Sequence, residues 1–235
     1  MSKSHPSAIF VAIEAQDLEA VQELAPLTSP SLVDGDGLTA LMRATGRDDR
    51  ALVRALLPFS NPNARDELGM TALMRAAMGG HKEMVRMLLP HCDARLCDNR
   101  GWTAMHRAAL RESVMSIRLL IPRSDVNAFD HEGWSAFMIA VESGMALSAI
   151  ELLPHTDLLA TNARGERMID TIRYKIHPLL GSLFSESRSR LIDIAEAKFA
   201  EQFAKQERAQ LDDLLDFDRL SAPRPFDPEW LATIR

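Results

Sequence analysis

Gly69-Met-Thr-Ala-Leu-Met-Arg-Ala-Ala-Met-Gly-Gly-His81 is the stretch on which the fold turns. Thr71 is placed to cap a helix start, where a hydroxyl accepts from otherwise orphaned N–H groups. Ala72, Ala76 and Ala77 allow close approach of neighbouring helices, and Leu73 fills the gap between units. Gly79-Gly80 then breaks this first helix. A second helix is predicted over His81–Leu89, with Met84, Val85, Leu88 and Leu89 at the three-to-four spacing of one apolar face. Pro90 ends it, because proline biases the residue before it away from helical backbone. His91 to Arg100 is polar and carries Asp98 three residues before Gly101, which predicts a turn or short hairpin.

The same register recurs outward in both directions. Glycines stand at Gly37, Gly69, Gly101, Gly133 and Gly165, and prolines at Pro26, Pro58, Pro90, Pro122 and Pro154, each series advancing by 32 residues. Thr39, Thr71, Thr103 and Ser135 hold the cap position in four of these units. Two short helices and an extended connection cannot bury both their faces alone, so the units must stack into a solenoid.

These segments, with Ser124-Asp-Val-Asn-Ala128 and Asp130-His-Glu-Gly133, resemble the D-x-x-G-x-T-P-L-H-x-A-A-x-x-G-H and A-D-V-N-A patterns of the ankyrin repeat. The resemblance covers most of residues 8–173 and implies an all-α ankyrin-repeat solenoid of helix-turn-helix units with hairpin-like loops. The chain departs from the pattern in places. Ala40, Ala72, Ala104 and Ala136 replace the family's proline; Met42, Met74 and Met138 replace its histidine, which only His106 keeps; and one residue is missing between the second helix and the loop Asp. Ala8 to Pro26 lacks the Gly-x-Thr start and reads as an N-terminal cap. Gly165 to Arg173 reads as a degraded last repeat, with Arg167 and Asp170 at former core-edge positions and Tyr174 to Phe184 as its second half. The expected organisation is a repeat domain over 6–185, with the cap at about 6–36 and units starting near 37, 69, 101, 133 and 165, followed by a C-terminal extension over 186–235.

Within that extension Leu191, Ile194, Ala195, Phe199 and Phe203 share one face of an amphipathic helix, edged by Arg190, Glu196, Lys198, Glu201 and Lys205. This face either covers the open end of the stack or is offered to a partner or a second copy. Leu214-Leu-Asp-Phe-Asp218 is similar to the clathrin-box type of adaptor motif, although five residues carry little weight. The aromatics after it, Phe226 and Trp230, are read as folding back onto the solenoid.

Composition narrows the function. A formal charge of −6 argues against a dedicated nucleic-acid binder, which needs a basic stripe. Two cysteines, Cys92 and Cys97, make no disulfide framework and fit a reducing, cytoplasmic setting. No apolar run reaches the roughly 18 residues of a membrane span. His91, Cys92, Cys97 and His106 lack the second tight pair of a structural zinc site. His81 aligns with the family's Gly-His at the second-helix start, which implies a capping or packing role, and His131, His155 and His177 have no nucleophile or carboxylate that the sequence places beside them. The expectation is a monomer without cofactor or metal that is not an enzyme.

The resemblance implies binding through hairpin tips and the exposed face of the first helices. Two ladders fall there: Leu38, Met70, Trp102 and Trp134, just after the repeat glycines, and Arg43, Arg75 and Arg107 on successive first helices, a series that Ile139 ends. Arg100 and His131 add hairpin-tip candidates. The first ladder either stiffens neighbouring hairpins or anchors a partner. The arginines either pair with residues such as Asp36, Asp66 or Glu67, or face an acidic segment of a protein partner. The expected function is a non-catalytic interaction module acting as scaffold, adaptor or inhibitor. The alternative is a regulatory subunit of an enzyme or transport complex, acting through its C-terminal helix and tail.

Overall fold

A computed structural model describes residues 7–171 and 197–208. Five helix pairs follow one another: α1 (Ala8–Glu14) with α2 (Leu18–Leu24), α3 (Ala40–Gly46) with α4 (Arg50–Leu56), α5 (Ala72–Gly79) with α6 (Lys82–Leu88), α7 (Ala104–Leu110) with α8 (Val114–Leu120), and α9 (Ala136–Glu142) with α10 (Ala146–Leu152). A short α11 (Met168–Thr171) opens the next unit. First helices stack in series from α1 through α9, and α2 lies against α4, α6 against α8 and α8 against α10. Among the described residues there are no strands; isolated bridges such as Cys97–Thr103 and Phe129–Ser135 close the hairpins. The fold is an all-α repeat stack.

The core follows the repeat. Leu41, Leu73, Met105 and Phe137 occupy one register position on successive first helices and are all at most 1% exposed. The alanines flanking them are buried too, which gives first helices their close contact. Thr39, Thr71 and Ser135 cap as the sequence predicts, each accepting the N–H of a methionine three residues on, at 3.3 Å. At Thr103 the hydroxyl instead meets His106 Nδ1 at 2.9 Å.

The turn between paired helices holds a residue with positive φ in every unit: Gln16, Asp48, Gly80, Glu112 and Gly144. Only two are glycine, so sequence alone marks the left-handed position clearly at Gly79-Gly80 and hides it elsewhere.

The prolines behave differently from the expectation of a plain stop. In four units the second helix runs directly into a 3-10 turn with proline near its start, such as Leu57–Phe59 and Leu153–His155. Its missing N–H costs nothing there. Just past the turn, Thr28, Ser60 and Thr156 donate their hydroxyls to the carbonyl four residues back, at 2.8 to 2.9 Å. Proline plus hydroxyl thus replaces the glycine exit of the family pattern, and this compact exit accompanies the 32-residue period.

Residues 197–208 form α12, which packs on the last full unit. Phe199 sits against the core, the Arg167 guanidinium lies 5.7 Å from its ring centroid, and Phe203 remains 40% exposed. Lys198 is not the edge residue its charge suggests. Its ammonium donates to the Leu153 carbonyl and, at 2.9 Å, to that of Thr156. Those carbonyls are the negative end of the last helix, a natural seat for a cation. Gln202 ties the same loop from both directions, donating to Thr156 O at 3.2 Å and accepting from Leu158 N at 3.1 Å. Leu191, Ile194, Ala195, the 214–218 motif, Phe226, Trp230, residues 174–184 and the 185/186 boundary lie outside the described residues.

Candidate interaction face on the hairpins and first helices

Each of the first four hairpins is organised by one aspartate. Asp98 Oδ1 accepts the N–H groups of Arg100 at 2.8 Å and Trp102 at 2.9 Å, while Oδ2 takes Arg107 of α7. Asp66 repeats this with Leu68, Met70 and Arg75. Asp34 does so with Asp36, Leu38 and Arg43, whose Nη2 also reaches Asp36 at 2.5 Å. The arginine ladder is therefore internally paired and holds hairpin to helix. The Asp66 and Asp98 side chains are only 2% exposed, so their charges need these partners. Burial works against ionisation of Asp98, but the Trp102 and Arg100 N–H groups and Arg107 outweigh it and hold its carboxyl below the usual range.

Ile139 stands where the fourth hairpin would find its arginine. Asp130 Oδ1 still accepts Glu132 and Trp134 N–H at 2.9 and 2.8 Å, but its Oδ2 receives the indole Nε1–H of Trp102, from the preceding unit, at 2.9 Å. Trp102 is further held by the Arg107 guanidinium 4.7 Å above its ring and by His106, whose ring centroid is 6.1 Å away. In the fifth hairpin the aspartate itself becomes Asn162, whose Nδ2 donates to Glu166 Oε2 at 3.0 Å. Thr171 stands in the arginine register there, so the fifth hairpin has neither the aspartate nor its arginine.

The apolar ladder divides. Leu38 and Met70 are 9% and 3% exposed, so the exposure expected of the whole series fails at these two; both tuck beneath the hairpin their own N–H closes. Trp102 and Trp134 are half-buried. Trp102 is engaged as described. The Trp134 ring rests on the core, and its indole N–H has no acceptor among the described residues.

Arg100 and His131 come together at adjacent tips. His131 N donates to Arg100 O at 3.0 Å, and both side chains are exposed. Gly101 makes this approach possible: its φ is +83°, and a Cβ there would lie 2.8 Å from His131 N. The Arg100 guanidinium has no ion-pair partner among the described residues.

No group of three or more His, Cys, Asp or Glu side chains is placed to hold a metal among the described residues. Cys92 occupies the register of Thr28 and Ser60, its thiol 3.5 Å from the Pro62 carbonyl, and burial pushes its pKa up to about 12, far from a reactive thiolate. His106 is buried, accepts Thr103 N–H at Nδ1 (3.2 Å) and meets Trp134 O through Nε2 (3.2 Å), which fixes the Nε2–H tautomer. Its burial holds its pKa below the ordinary value. No described helix is long and apolar enough to cross a membrane.

The aspartates at 34, 66, 98 and 130 escaped recognition as a functional set. Their common 32-residue spacing, and the arginines nine residues after the first three, were the available signal. A comparison with curated proteins finds no match. The family model described as ankyrin repeats (3 copies) matches residues 9–95 and 90–162, more than half of the chain, and the chain belongs to the ankyrin-repeat family.

Proposed function

We propose that the chain is a non-catalytic protein-binding module that recognises its partner with the third and fourth hairpins, through Trp134 backed by Arg100 and His131. One observation carries this: of the two half-buried tryptophans, Trp102 has its N–H bonded to Asp130 and its ring held by Arg107 and His106, whereas the Trp134 indole N–H, on a ring that rests on the core, has no acceptor among the described residues. Such a group is the usual anchor of an interface, aromatic for area and polar for direction. The paired arginines at 43, 75 and 107 stiffen this surface, so cationic recognition of an acidic partner segment falls to Arg100. Scaffold, adaptor and inhibitor roles share this surface, and a monomer in the cytoplasm suits all three.

Selection of a displayed peptide library on the full chain tests the reading. Peptides recovered should bind Trp134→Ala at least 10-fold more weakly, Arg100→Ala several-fold more weakly and with less salt dependence, and Trp102→Phe nearly unchanged. Equal losses at all three, or none at Trp134, would refute it. The regulatory-subunit alternative, acting through the C-terminal helix and tail, draws no support from α12, whose Phe199, Lys198 and Gln202 are spent on the stack, and its tail lies outside the described residues.

A further inference from the structure

At the N-terminal end of the stack, α1 and residues 32–35 enclose a groove of about 580 Å³ lined by Phe10, Val11, Glu14, Leu32, Val33 and Asp34. Val11 is 66% and Val33 47% exposed, so the groove leaves apolar surface in water. Three of its walls share the register of the groups that seat Trp102, with Asp34 Oδ2 taken by Arg43 instead of an indole. Subtracting three periods of 32 maps His106 onto Phe10, Arg107 onto Val11 and Asp130 onto Asp34. These are the groups that hold the Trp102 indole. The residue in the register of Trp102 itself is Pro6, which carries no aromatic ring.

We infer that this groove is an indole seat filled by the chain's own C-terminal segment, with Trp230 as the inserted side chain and Phe226 and Leu231 beside it. Of the three tryptophans in the chain, Trp102 and Trp134 are placed in the stack, which leaves Trp230. Between 208 and Trp230 lie residues 209–229, 21 in number, which span up to about 70 Å when extended. Five helix spacings of roughly 8 to 10 Å separate the two ends of the stack, about 50 Å, so the segment reaches. The seat at Phe10 and Val11 is more apolar than that of Trp102, and Glu14 at the rim offers a carboxylate oxygen to the indole N–H. Glu14 Oε2 takes Arg47 at 2.5 Å, whereas Oε1 is 3.9 Å from the nearest cation, Arg43. The docked segment would strap the stack end to end, with its failure independent of the Trp134 surface.

Fluorescence of the full chain, compared with Trp230→Phe, isolates the Trp230 signal. The inference requires a blue-shifted emission and acrylamide quenching several-fold weaker than that of N-acetyltryptophanamide. Val11→Glu and, as a second probe in case one variant unfolds, Val33→Glu should each raise quenching of Trp230 at least threefold with unchanged far-ultraviolet circular dichroism. A Trp230 as accessible as the free amide overturns the inference, as does a protected Trp230 that ignores both substitutions. Protection that appears only at concentrations where light scattering detects dimers assigns the seat to a second copy and overturns the intramolecular form.

Discussion

The hairpins at Asp98 and Asp130 use the same carboxylate to accept the same two backbone N–H groups, yet complete it with different donors. Asp98 takes an arginine from its own unit, and Asp130 takes an indole from the unit before. The first arrangement is self-contained, whereas the second couples two repeats. With the arginine lost at Ile139, Asp130 is free to take the Trp102 indole, whereas the Trp134 indole, with Asn162 and no aspartate ahead of it, has no acceptor among the described residues.

Removing the shared feature should do most damage. Asp98→Ala strands three donors, including the half-buried Arg107, and should cost about 3 kcal/mol in urea denaturation. Placing an aspartate where the fifth hairpin has none sharpens the contrast from the other side. Asn162→Asp sets a carboxylate against Glu166 with no cation at Thr171, and should destabilise by about 1 kcal/mol near pH 7, less as the pH falls toward the carboxylate range.

His106 joins the two hairpins, lying beside Trp102 and bonding to Trp134 O. Burial is the main cause of its lowered pKa, opposed by the Trp134 carbonyl, Asp130 and Asp98 and assisted by Arg107. The unfolded chain therefore takes up the proton first. Stability from this group is complete above the unfolded value of about 6.5 and declines as the pH drops below it. His106→Met, the residue its register holds at 42, 74 and 138, should flatten the fall in melting temperature between about pH 6.5 and 5. The smallest change concerns the helix exit. Cys92→Ser restores the hydroxyl that Thr28 and Ser60 use and should leave stability within about 0.5 kcal/mol of the parent.

Much of this was legible in the residues. The period, the cap hydroxyls and the alanine faces follow from spacing, because stacked identical units must repeat their chemistry. The left-handed turns at Gln16, Asp48 and Glu112 were not legible, since a strained φ leaves no mark unless glycine takes it. The pairing of the arginines was a matter of tertiary distance: nine residues in sequence become one hydrogen bond only after the hairpin folds onto its helix. Leu38 and Met70 were misplaced for the same reason, as burial under a hairpin depends on where the loop closes. Lys198 looked like a solvated edge because its acceptors, the Leu153 and Thr156 carbonyls, are some forty residues away.

The central claim is that Trp102 holds the stack while Trp134 is held in reserve for a partner, and paired indole-to-phenyl changes measure it directly. In urea denaturation Trp102→Phe should lose roughly 1 to 3 kcal/mol, because Asp130 Oδ2 is left without its donor. Trp134→Phe should lose less than about 0.5 kcal/mol, since no acceptor among the described residues is abandoned. Equal losses in the two variants, or a larger loss at Trp134, would contradict the account.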